Sequence, residues 1–129
     1  MKYYFEKTLH TDFESTVENT KEALKSEGFG VLSEIDIHEK LKEKLNVDFR
    51  RYKILGACNP PFAYKALQEE DKIGTMLPCN VIIQEFGNNK VQVAAVDPVA
   101  SMSSIDNPKL IDIAGKIQGK LKLVIDKLN

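Results

Sequence analysis

The chain has 129 residues, 18 basic and 19 acidic side chains and a formal net charge of −1. That length supports one hydrophobic core and excludes two domains of ordinary size, so a single domain over residues 1–129 is expected. With 43% apolar and 29% charged residues and both signs interspersed, the composition excludes an extensively disordered chain and leaves no long-range field for nucleic acid or an anionic membrane.

Met1-Lys2-Tyr3-Tyr4-Phe5-Glu6-Lys7 meets charge too early for a signal peptide, and no apolar run approaches membrane-spanning length. A cytoplasmic protein is the expectation, and its two cysteines, Cys58 and Cys79, then read as free thiols rather than a structural disulfide.

Tyr3 to Leu9 reads as a first strand, with Tyr3, Phe5 and Lys7 on one face. Thr11-Asp12-Phe13-Glu14 has the capping-box pattern, which predicts a helix capped by Thr11. Phe13, Val17, Thr20 and Leu24 recur at helical spacing, and Gly28 suits the left-handed residue that ends a helix. Phe29 to Ile35 predicts a second strand. Asp36 and Glu39 then predict the cap of a short helix bearing Ile37, Leu41 and Leu45, with little apolar area to hold it down.

Phe49 to Cys58 predicts the next strand, and Pro60-Pro61 opens a helix to about Glu69, because the missing proline N–H is no loss in the first turn. Phe62, Ala66 and Leu67 are its expected inner residues. Gly74 to Pro78 reads as a connection. Asn80 to Phe86 and Val91 to Val96, joined by Gly87-Asn88-Asn89, predict an antiparallel hairpin. Asp97-Pro98 breaks the last strand, and a polar loop leads to Pro108, which opens the final helix. Leu110, Ile113, Ala114, Ile117, Leu121, Val124 and Leu128 give that helix one apolar face, the strongest periodicity in the chain, and Gly115 and Gly119 on its flank suggest close backbone approach to a sheet. The order predicts an α+β fold: a mainly antiparallel sheet with the first and last helices on one face, and the other face solvated or paired with a second subunit.

Leu24-Lys25-Ser26-Glu27-Gly28-Phe29-Gly30, Tyr52 to Pro60, Leu77-Pro78-Cys79-Asn80-Val81-Ile82-Ile83 and Asp97-Pro98 together resemble the family known as domain of unknown function 302, over nearly the whole chain. The resemblance implies a curved antiparallel sheet holding a long C-terminal helix, similar to helix-grip and TATA-binding-protein-like architectures. It implies no activity, since that family has no agreed biochemical function. It does direct attention to Cys58, Asn59, Pro60, Pro78, Cys79 and Asp97, which match the family's recurring pattern.

Each of these has two readings. Cys58 stands before a proline-started helix that Asn59 would cap, where free N–H groups favour a thiolate; it equally suits a small apolar packing role. Cys79, after Pro78, reads more readily as a core thiol, though adjoining strands would bring it near Cys58. Two cysteines with only His10 and His38 make no zinc set, so neither metal nor cofactor is expected. His38 reads as solvated and His10 as the end of a strand, and neither has the partner that would orient a general base. Asp97 reads as a turn or cap residue, and Ser101 to Ser104 as a loop or a lid. Arg50-Arg51-Tyr52-Lys53 is the best local basic run, but alternation splits its charges between faces, so no nucleic-acid partner is expected.

The resulting expectation is a small binding or interaction module, a homodimer, with a small-molecule pocket or partner surface between the sheet and the Cys58–Pro61 turn. The alternative is a thiol-dependent redox protein using Cys58, with Cys79 as resolving partner.

Overall fold

The computed structural model describes residues 2–129. Five strands, β1 (Tyr4–Leu9), β2 (Gly30–Asp36), β3 (Tyr52–Cys58), β4 (Cys79–Gly87) and β5 (Lys90–Val96), form one antiparallel sheet in the order β1-β5-β4-β3-β2. Helices α1 (Phe13–Ser26), α2 (Ile37–Leu45), α3 (Pro60–Glu69), α4 (Pro98–Ser101) and α5 (Pro108–Lys127) complete the α+β architecture, with a 3₁₀ segment at Asp71–Met76 that overlaps the Gly74–Pro78 stretch expected to be a plain connection. The expected β4–β5 hairpin is present, and Asn89 at its tip takes the left-handed conformation that asparagine tolerates.

Strand alternation decides which residues meet the helices. Val81, Ile83, Val91, Val93, Leu55 and Ala57 are buried on one face, where α1 and α5 pack side by side as expected. From α5, Ile117, Leu121, Val124, Ile125 and Leu128 join this core. Leu110 and Ala114, nearer its start, enter a second cluster with Ala66, Ile73 and Met102. The periodicity of α5 thus predicted its buried face, but not its glycines: Gly115 and Gly119 are exposed and no other part of the chain lies within 4 Å of where their Cβ atoms would be, so neither serves a close approach. Lys7, on the helix-facing side of β1, donates to the carbonyls of Asp126 and Leu128 at 3.0 and 2.7 Å, satisfying the otherwise open end of α5.

Other boundaries shift for local reasons. Asp12, not Thr11, caps α1: its carboxylate accepts from Ser15 N at 2.8 Å, and that bond holds its carboxyl below the usual range. Asp36 caps α2 without a side-chain hydrogen bond, and α2 buries no residue. β3 begins at Tyr52 rather than Phe49. Leu67 is exposed, because α3 presents only Ala66 fully to the interior and Phe62 partly. The segment after Asp97 is not all loop, since it contains α4.

Candidate functional site

The strand-to-helix junction gathers most of the singled-out residues. Cys58, Asn59, Pro78 and Cys79 line one cavity with Phe29 and Pro98, whereas Pro60 is exposed and Asp97 stands just outside. The cavity measures about 30 Å³, room for about one water and no organic ligand. Its residues are occupied in holding chain segments together. Helix α1 ends in a Schellman motif: Phe29 N donates to Leu24 O and Gly28 N to Lys25 O, both at 3.0 Å, with Gly28 at φ +85°. Asn59 does not cap α3 with its side chain. It turns back, and its Nδ2 donates to Glu27 O at 3.2 Å, tying the start of α3 to the end of α1. Gly56 lies under Pro78: a methyl group there would stand 2.8 Å from Pro78 Cγ and would collide with Ser33 Oγ. Asp97 caps α4, accepting from Val99 N at 2.9 Å, and also accepts from Gln118 Nε2 at 3.0 Å.

Both cysteines are free thiols on neighbouring strands, with Cys79 in register with Ala57, one residue from Cys58. The sequence suggested a thiol made acidic by a helix end. Burial instead pushes the Cys58 thiol up, and burial, with a smaller contribution from Cys58, pushes Cys79 up to about 11. This junction therefore favours the protonated, unreactive form of each thiol.

The other polar candidates also have structural partners. His38 is not simply solvated: its Nδ1 accepts from Tyr52 N at 3.0 Å, satisfying a donor at the start of β3, beyond the last pairing with β2, while its ring meets Phe13 edge-on. His10 faces water. In the basic run, Arg51 pairs with Glu14 and Glu85 over the Phe13 ring, and Lys53 lies between Glu34 and Asp36, so both cations are compensated on the helix-facing side. No group of three or more potential metal ligands occurs among the described residues.

The opposite face of the sheet carries no helix and holds what sequence reasoning missed. Register aligns Ile35 with Ile54, Ile54 with Ile82, and Ile82 with Ala94, an uninterrupted apolar row across four strands. An antiparallel sheet with one wet face ordinarily places polar side chains there. Beside this row runs a hydrogen-bonded ladder. Arg50 Nε donates to Gln84 Oε1 at 2.9 Å, Gln84 Nε2 to Gln92 Oε1 at 2.8 Å, and Gln92 Nε2 to Glu6 Oε2 at 3.0 Å. Its direction is fixed from the ends, because a guanidinium only donates and a carboxylate only accepts. Arg50 sits over Phe49 and Phe86, 4.3 and 5.1 Å from the ring centroids. Ile82 and Ala94 of the row and Gln84, Gln92 and Glu6 of the ladder floor a groove of about 430 Å³ walled by Tyr3, Tyr4 and Tyr52. The available signal was the doubly apolar run Val81-Ile82-Ile83, which implies cover on both faces of β4.

The family model for the domain of unknown function DUF302 matches residues 5–128. The chain belongs to the DUF302 family. A solved structure, that of an uncharacterised conserved DUF302 protein from Bacillus stearothermophilus, is similar over 100% of both chains, with 31% identity and a TM-score of 0.91. No curated protein matches. The DUF302 residues at the Cys58–Pro61 junction thus have architectural work in this chain, and the uncovered sheet face is its larger recess. No helix among the described residues is long and apolar enough to cross a membrane.

Proposed function

We propose that this DUF302 protein is a small-molecule binding module that works through the open face of its sheet rather than through the cysteine junction. The observation that carries this reading is the groove itself. Its volume of about 430 Å³ is in the range of small-molecule sites, and it combines an apolar floor with a few placed polar groups. In the ladder, each glutamine uses one N–H and one oxygen lone pair, leaving one N–H and one acceptor site on each. The groove thus suits a flat, largely apolar molecule with an amide-like donor and acceptor pair along one edge.

The dye 8-anilinonaphthalene-1-sulfonate, an anion whose aromatic rings seat on apolar surface, tests the surface directly. Wild-type protein is expected to enhance its fluorescence saturably, and the uncharged Ile82→Asn to weaken binding about tenfold or more with near-ultraviolet circular dichroism unchanged. Equal binding by the variant, or no saturable enhancement by the wild type, would sink the proposal.

The redox alternative is supported by the two free thiols sharing one cavity and is opposed by the upward displacement of both. Limiting peroxide followed by thiol trapping and mass spectrometry is expected to show Cys58 and Cys79 reacting no faster than an unstructured peptide cysteine. Rapid formation of a Cys58–Cys79 disulfide would revive it.

A further inference from the structure

We infer that a second copy of this chain covers the open sheet face and closes the groove, so that the binding site is completed by a two-fold sheet-on-sheet dimer. This deepens the groove reading of the site and rests on it. Two observations select a second copy as the occupant. The first is extent. The apolar row spans three strand spacings, about 14 Å, and continues past the groove to Ile35 on the edge strand β2, which is 40% exposed. A ligand seated among Tyr4, Tyr52 and Ile82 leaves Ile35 in water, whereas a facing sheet about 10 Å away covers it.

The second is charge. The ladder carries an exposed carboxylate, Glu6, at its β1 end and an exposed guanidinium, Arg50, at its β3 end. A two-fold axis parallel to the strands and lying between two facing sheets reverses the cross-strand direction. It therefore places the acidic end of one ladder toward the basic end of the other, twice per dimer. Both patches belong to one face, so the contact is isologous and closes at two copies. Each protomer then contributes half of the walls, and a groove open in one chain becomes a chamber between two.

Glu6→Arg and Arg50→Glu test this. Native mass spectrometry and sedimentation of the wild-type chain at micromolar concentration are expected to give twice the 14.5 kDa chain mass. Each single reversal faces like charges across the axis and is expected to weaken association by about tenfold or more. Mixing the two variants is expected to restore a heterodimer. Within each variant the ladder ends remain like-charged, so rescue on mixing reports only contact between chains. Ile35→Asp, outside both groove and ladder, supplies a second variant and is expected to dissociate the dimer with the fold retained by circular dichroism. A monomeric wild type, reversals that dimerise normally, failure to rescue on mixing, or a dimer indifferent to Ile35→Asp would each overturn the inference. A monomer that still binds the dye in an Ile82-dependent way would overturn the dimer and leave the groove reading standing; a charge-dependent dimer that binds no dye would do the reverse.

Discussion

At Cys58 and Cys79 the local sequence and the local environment point in opposite directions. Cys58, before a proline-started helix, invites a thiolate, yet its burial pushes the thiol up, and Cys79, only 8% exposed beside a cavity that admits little water, is pushed up further. The consequence for stability has a definite sign. A thiol raised from 9.0 to about 11 in the folded chain contributes stability that is fully present below pH 9 and is lost as pH rises through 11. Two pH units correspond to roughly 2–3 kcal/mol at full effect. Thermal unfolding between pH 8 and 11 is therefore expected to fall less steeply in Cys79→Ala than in the wild type, with lysine and tyrosine titration common to both. Equal slopes would show that Cys79 ionises as readily folded as unfolded.

Among the elements, the junction joins α1, β2, β3, α3 and β4 by close contacts at small or polar residues. Gly28 lets α1 turn back into β2, and its missing side chain leaves room for Asn59, whose Nδ2 would lie 3.1 Å from a Cβ at that position. Gly56 permits Pro78 to lie against β3. Gly56→Ala is expected to destabilise the fold by about 1–3 kcal/mol in urea unfolding, because the added methyl group would stand 2.8 Å from Cγ of the rigid Pro78 ring, even with the exposed Ser33 hydroxyl rotated away. A loss below about 0.5 kcal/mol, within the ordinary surface range, would mean that β2 and β4 adjust without strain. The helix starts and the β4–β5 turn were legible in the sequence because proline, asparagine and glycine act through their own backbone. Asn59 was not: whether its amide caps α3 or reaches Glu27 depends on where α1 ends in space.

For the whole molecule, the helix-covered face of the sheet holds the core, and the open face is the proposed binding surface. Leu121, fully buried between α5 and the sheet, is expected to cost about 2–5 kcal/mol when replaced by alanine. Leu32→Ser, 69% exposed in the β2 bulge and outside this core, is expected to change unfolding free energy by no more than about 0.5 kcal/mol where the chain is monomeric. Denaturant titration of both variants at low protein concentration checks the contrast, and comparable losses would contradict the division.

The sequence by itself determined the α+β class, the antiparallel hairpin, the buried stripe of α5 and the family, because periodicity and turn chemistry are properties of neighbouring residues. Only the tertiary structure decided the site. Strand register brings Ile35, Ile54, Ile82 and Ala94 into one row and Arg50, Gln84, Gln92 and Glu6 into one ladder, although Arg50 and Gln84 are 34 positions apart in the chain and Gln92 and Glu6 are 86. Register is a relation between strands, and no local pattern carries it.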